Sequence, residues 1–142
     1  MVRKTMSGAD TNSGPSSDPP PLILVVEDEP LVRLITSEIL IDAGFQVIEA
    51  AHAEQALAIL EQAPVALVLT DVDMPGELDG LALRGVLRER APGLPVIVTS
   101  GGVRLGALQP HLGGPFIAKP FTADALIATV TTYLTPGAAT ED

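Results

Sequence analysis

The sequence predicts a doubly wound α/β domain with an all-parallel sheet, and three observations carry that prediction. Short apolar runs of strand length alternate with stretches of helical period across residues 22–134. The runs are mostly continuous rather than alternating in polarity, as in strands covered on both faces. Three of them stop abruptly at charged residues, Glu27-Asp28, Asp71 and Lys119. That puts chemistry at strand carboxyl ends, where open α/β sheets build their sites.

Residues 1–21 stand apart. They are rich in Ser, Gly, Pro and Asp, close on Pro19-Pro20-Pro21, and read as a disordered N-terminal tail. The ordered domain is expected over 22–135, with 136–142 a C-terminal tail. Leu22–Val26 is the first strand. Pro30 suits the first position of a helix, and Leu31, Leu34, Ile35 and Ile39 follow at helical spacing until Gly44 stops it. Phe45–Ala50 reads as a strand, and Ala53, Ala56, Leu57 and Leu60 as one face of a helix that Pro64 ends. Val65–Thr70 is a third strand, closed by Asp71.

A helix is expected from near Asp79 to Arg90, with Leu83, Val86 and Leu87 inward and Arg84, Arg88 and Glu89 outward. Pro95–Thr99 is the fourth strand. Gly106, Pro110, Gly113 and Gly114 interrupt the segment between this strand and the next, so the fourth helix is expected to be short or irregular. Phe116–Ala118 is the fifth strand. Thr122 caps a last helix carrying Leu126, Val130, Tyr133 and Leu134. Right-handed crossovers then favour a three-layer (βα)5 sandwich of the flavodoxin-like order 2-1-3-4-5. In that order the first and third strands are neighbours, so Glu27-Asp28 and Asp71 meet in space.

Composition bounds the function. The chain has 142 residues and a formal net charge of −10, which argues against non-specific binding to nucleic acid or anionic membrane. Clustered carboxylates are compatible with a divalent cation. There is no cysteine, so disulfide, thiolate and zinc–cysteine chemistry are excluded. No apolar run approaches a membrane span and no apolar signal core follows Arg3-Lys4, so a cytoplasmic location is the expectation. His52 and His111 are isolated and read as surface residues.

Four motifs in order then resemble the receiver domain of the two-component response regulator family. They are Val25-Val26-Glu27-Asp28-Glu29, Leu69-Thr70-Asp71-Val72-Asp73-Met74-Pro75 with Asp79-Gly80, Val98-Thr99-Ser100-Gly101, and Lys119-Pro120-Phe121. The resemblance covers about residues 22–134. It implies that Asp71 accepts a phosphoryl group as an acyl phosphate, and that Mg²⁺ is the cofactor. Asp28 and Asp71 would ligate it directly, Asp73 by its backbone carbonyl and Glu27 through water. It further implies a phosphate contact from Lys119, a hydroxyl donor at Ser100 with Thr99 as the alternative, and a switch formed by Ser100 and Phe116. A cis peptide is expected before Pro120. The implied donor is a histidine kinase or a histidine phosphotransfer protein. The protein would be no enzyme beyond slow loss of its own phosphate, would bind no DNA or membrane, and would be a monomer or weak dimer.

Three features depart from the family pattern. The loop from Pro75 to Gly80 carries one extra residue, Phe116 lacks a tyrosine hydroxyl, and the stretch from Ser100 to Lys119 is short. No output domain is expected after Thr135, so the sequence reads as a stand-alone receiver acting by protein binding or as a phosphate relay or sink. Two alternatives stay open. One is a pseudo-receiver that binds partners without carrying phosphate. The other is a phosphatase of the haloacid dehalogenase type, whose first motif Asp71-Val72-Asp73 resembles, although Pro75 stands where that motif places Thr or Val.

Overall fold

The computed structural model describes residues 2–3, 19–74, 78–101 and 114–134. In chain order the elements are β1 (Val2–Arg3), β2 (Leu22–Val26), α1 (Pro30–Asp42), β3 (Gln46–Ala50) and α2 (Ala53–Leu60). They continue with β4 (Leu67–Asp71), α3 (Gly80–Arg90), β5 (Val96–Gly101), β6 (Phe116–Lys119) and α4 (Ala123–Leu134). The helix expected between β5 and β6, the lengthened loop at 75–77 and His111 fall outside the described residues.

The sheet order is β1-β3-β2-β4-β5-β6. All pairings are parallel except β1 with β3. Counting the parallel strands alone, this is the predicted order 2-1-3-4-5. The register aligns the strand ends that matter. Val26 faces Thr70, Asp71 faces Thr99, and Gly101 faces Lys119, so the last residues of four strands share one rim.

β1 departs from the reading of residues 1–21 as wholly disordered. Val2 and Arg3 pair antiparallel with Ile48 and Val47 on the outer edge of β3. Two residues carry too short a pattern for sequence periodicity to register as a strand. Pro20 and Pro21, just ahead of β2, are held to the start of β3: their carbonyls accept from the side chain and backbone of Gln46 at 2.8 and 2.9 Å.

Alternate residues of each strand feed opposite faces. Ile23, Val25, Leu67 and Leu69 pack with Leu40, Leu126 and Val130 beneath α1 and α4. Leu24, Val26 and Val68 pack with Ala53, Leu83 and Leu87 beneath α2 and α3. Both layers exclude water from aliphatic side chains, the main favourable contribution to the fold. Helices α2, α3 and α4 are fixed at their starts by side chains. His52 Nδ1 accepts from Gln55 N–H at 3.1 Å, Asp79 Oδ1 from Ala82 N–H at 2.9 Å, and Thr122 Oγ1 from Ala125 N–H at 3.0 Å. The peptide between Lys119 and Pro120 is cis.

Two helix faces differ from expectation. On α1 the buried residues are Thr36, Ser37 and Leu40, while Leu31, Leu34 and Ile35 are 64%, 46% and 51% exposed. The helix is apolar nearly all round, so helical spacing alone does not select the stripe that meets the sheet. On α3, Arg84 is buried rather than outward, and Val86 is only half-buried. With Gly80, Leu83 and Leu87 inward, position 84 falls on the same stripe at i+4 and i−3. Geometry outweighs charge here. Burial, and then the nearby Arg88, lower the Arg84 pKa, and its Nη1 has no hydrogen-bond partner among the described residues.

Candidate functional site

The rim formed by β2, β4, β5 and β6 gathers most of the chemistry-bearing residues singled out in the sequence. Apolar strands hold these charges rigidly because the preceding residues, Val26 and Thr70 among them, are fully packed. Oxygens of Glu27, Asp28 and Asp71 all lie within 4.8 Å of one another. Glu27 and Asp71 are buried and Asp28 is half-buried.

Lys119 closes the cluster. Its Nζ lies 3.1 Å from Glu27 Oε1 and 3.2 Å from Asp71 Oδ1. One ammonium therefore bridges two carboxylates from strands that are not its neighbours. Burial is the largest influence on both acids and raises their pKa values. The charge of Asp71 raises Glu27 further, while Lys119 opposes the shift at both. Burial alone would lower Lys119, but its hydrogen bond to Glu27 and the facing charge of Asp71 leave its pKa raised.

The remaining predicted residues take different places. The Asp73 backbone N–H donates to the Asp71 carboxylate, and its own side chain is exposed. Ser100 is buried and its Oγ has no partner among the described residues. Thr99 is also buried, and together with Thr36, Glu27, Asp71 and Lys119 it lines a cavity of about 10 Å³ beneath the carboxylates. Phe116 is half-buried and packs against Val72, next to Asp71 in the chain, and Val98, two residues before Ser100. His52 is exposed and caps α2.

Two contacts at the site were not anticipated from the sequence, although Gly80 already stood in the Asp79-Gly80 motif. Arg33 Nη1 donates to the Glu27 carbonyl at 2.7 Å. The signal was a single charge inside the apolar run Leu31-Val32-Arg33-Leu34-Ile35. Gly80 makes the second: its N–H donates to the Val72 carbonyl at 3.1 Å, and a Cβ there would lie 2.8 Å from the Asp71 carbonyl carbon and 2.9 Å from Val72 Cα. A glycine just inside a helix start, after a capping Asp, marks such a close approach.

Comparison with known proteins accords with this geometry. The family model described as "Response regulator receiver domain" matches residues 23–131. The chain belongs to the response regulator receiver family. A putative NtrX-like response regulator of Rickettsia bellii is 37% identical over 115 residues, which are 74% of this chain and 23% of that protein. The response regulator FleR of Pseudomonas aeruginosa is 37% identical over 111 residues, 76% of this chain and 23% of its own. The chain thus spans about a quarter of the length of these curated relatives. The crystal structure of the receiver domain of NtrX from Brucella abortus superposes with a TM-score of 0.72 at 39% identity, covering 79% of this chain and 97% of that one. A response regulator receiver protein from Sinorhizobium medicae gives a TM-score of 0.72 at 30% identity, covering 81% and 94%.

As a receiver, the chain is a two-component signalling module and not a catalytic enzyme, which sets aside the phosphatase alternative. No helix among the described residues is long and apolar enough to cross a membrane. The receiver's acidic triad is chemically suited to a hard cation: it offers oxygen ligands only, and two of its members are buried acids with raised pKa values.

Proposed function

We propose that this receiver accepts a phosphoryl group on Asp71. The observation that carries the proposal is the joint contact of Lys119 with Glu27 and Asp71 beside the half-buried Asp28, an acidic cluster faced by a lysine ammonium. Mg²⁺ would be held by Asp28 and Asp71, with the Asp73 carbonyl as a further ligand and Glu27 acting through water. When bound, it supplies positive charge to the phosphoryl oxygens and relieves the repulsion among the acids.

The protein's own groups do the rest. Asp71 Oδ attacks the phosphorus of a phosphohistidine on a histidine kinase or histidine phosphotransfer protein. A P–O bond forms as the P–N bond breaks, and the imidazole leaves with the electron pair and takes a proton from solvent. Lys119 exchanges part of its contact with Asp71 for a phosphoryl oxygen. Ser100 Oγ, buried and without a partner among the described residues, donates to another oxygen. Its movement toward the phosphate vacates space beside Val98 that Phe116 can enter, which carries the change to the surface. Water later cleaves the acyl phosphate, releasing inorganic phosphate and restoring the carboxylate.

The donor's docking surface is read from exposure. Leu31, Leu34 and Ile35 form an open apolar row on α1. A groove of about 410 Å³ lined by Val32, Ile35, Lys119, Pro120 and Phe121 joins that row to the site. The groove runs to Lys119, whose ammonium contacts Asp71, so a donor seated there would present its histidine toward the rim that carries Asp71. The protein itself is proposed to bind no DNA through this chain and to act in the cytoplasm.

The test is incubation with acetyl phosphate and Mg²⁺ followed by intact mass measurement. Wild type should gain one phosphoryl group and Asp71→Asn none. No gain on wild type, or an equal gain on Asp71→Asn, overturns the assignment. No gain with retained partner binding would favour the pseudo-receiver.

A further inference from the structure

We infer that Arg33 is a positioning residue for the metal-site carboxylates, tying the Glu27-Asp28 loop to α1 and β3. The inference rests on the receiver reading of that cluster.

The loop from Glu27 to Glu29 carries successive carboxylates whose charges repel, and it has no regular structure. Helix α1, which follows it, is not fixed by a cap of its own: Glu29 makes no side-chain capping bond, and Pro30 has no N–H to offer. Something else must hold the loop. The Glu27 N–H donates to the Ala50 carbonyl at 3.0 Å, and the Glu29 N–H reaches back to Glu27 Oε2 at 3.2 Å. The third restraint is Arg33. Its Nη1 donates to the Glu27 carbonyl at 2.7 Å, while its Nε stands 3.5 Å from Glu49 Oε1 on β3.

One guanidinium thus joins the carboxyl ends of β2 and β3 from the first turns of α1. Its side chain and that of Glu49 are only 22% and 18% exposed, so the contact is shielded from solvent screening. The planar fork suits this double role. A lysine ammonium, a single point on a flexible stem, can reach the carbonyl or the carboxylate but does not hold both in one geometry. Removing the guanidinium frees the Glu27 carbonyl and lets Glu27 and Asp28 spread apart. The oxygens now within 4.8 Å of one another then no longer converge.

The experiment is an Mg²⁺ titration of phosphate-free protein, followed through the amide resonances of Asp28 and Asp71, with metal-free thermal unfolding measured in parallel. Arg33→Ala should weaken Mg²⁺ binding by about tenfold or more, the scale of supporting residues around metal sites. Arg33→Lys should recover part of the loss, and Glu49→Gln should lose less than Arg33→Ala. Mg²⁺ affinity of folded Arg33→Ala within about twofold of wild type overturns the inference, because supporting residues act on a larger scale. So does a loss matched by the fraction of protein unfolded before metal is added. If Arg33→Ala does not fold, Arg33→Lys and Glu49→Gln decide by the same criterion. A wild-type protein whose Asp28 and Asp71 resonances ignore Mg²⁺ overturns the phosphoacceptor reading of the cluster together with this inference.

Discussion

Lys119 reaches across β5 to set its ammonium 3.2 Å from Asp71 Oδ1, while the same nitrogen lies 3.1 Å from Glu27. It is the cation that lets two buried carboxylates coexist. Its removal should therefore act on chemistry and stability at once. Lys119→Met is expected to slow acetyl phosphate labelling by about 10²-fold, the usual cost of one oxyanion contact. Because the lysine side chain is 26% exposed, the loss of stability should be about 1–3 kcal/mol, below the full cost of stripping a deeply buried ion pair. Labelling kinetics and urea unfolding measure the two effects. Unchanged labelling would remove Lys119 from the proposed mechanism.

Acidity provides a second handle. The folded-state pKa values of Glu27 and Asp71 are raised above their ordinary 4.5 and 3.8, so the folded protein holds protons that the unfolded chain has released. Stability of the metal-free protein therefore falls as pH rises from the ordinary values through the raised ones, and the cost is constant above them. Acidifying the metal-free protein from above the raised values toward the ordinary ones should raise its Tm, and Asp71→Asn should flatten part of that slope. Lys119 works in another window: its raised pKa adds stability that is complete below 10.5 and lost only as pH climbs past the raised value. Mg²⁺ requires the ionised acids, so its stabilisation should be greatest at neutral pH and fade in the acid window. A metal-free Tm that falls on mild acidification, with no change of slope in Asp71→Asn, would contradict the shifts.

These residues explain what the sequence could and could not reveal. The parallel strands were legible because continuous apolar runs stop at Glu27, Asp71 and Lys119, and the same stops named most of the cluster. The topology followed from handedness rules. What stayed hidden depends on neighbours remote in sequence. Arg84 is buried because of the stripe set by Leu83 and Leu87, although its charge argues for solvent. Leu31, Leu34 and Ile35 look like core residues and face outward, since α1 offers the sheet another face. The bond from Arg33 to the Glu27 carbonyl involves a backbone acceptor, which no side-chain pattern advertises. Val2 and Arg3 add a strand that only the free edge of β3 defines.

Gly80 makes the backbone of the proposed phosphoacceptor, Asp71, testable apart from its carboxylate. Any Cβ at this position runs into the Asp71 carbonyl oxygen, and the obstacle is backbone rather than a flexible side-chain end. Either α3 or the end of β4 must shift. Gly80→Ala should cost about 1–3 kcal/mol, the range for overpacking, even though alanine is the better helix former. It should also slow labelling of Asp71 at temperatures where the variant is fully folded. Gly85 is the internal control, because a Cβ there meets nothing within 4 Å. Gly85→Ala should be neutral or stabilising by a few tenths of a kcal/mol to about 1 kcal/mol, with labelling unchanged. Equal unfolding curves for the two variants would show that the α3 start yields without disturbing Asp71.

The exposed row on α1 offers a way to separate the proposed partner recognition from the proposed phosphoryl chemistry. Leu31 is 64% exposed and Ile35 51%, so Leu31→Glu and Ile35→Glu remove little buried surface and should change stability by no more than about 0.5 kcal/mol. Neither side chain is among the acids or the lysine of the rim, so labelling by acetyl phosphate, which needs no docking, should proceed at the wild-type rate. Transfer from a histidine kinase or phosphotransfer protein should behave differently. A new carboxylate on an apolar contact face of a chain already at −10 adds both a desolvation cost and repulsion toward acidic partners. Transfer should slow by at least about tenfold, corresponding to the loss of one good interface contact. Kinase transfer at the wild-type rate would move the docking surface off α1 while leaving Asp71 as the acceptor. Slowed labelling by both donors would instead place Leu31 and Ile35 in support of the site itself.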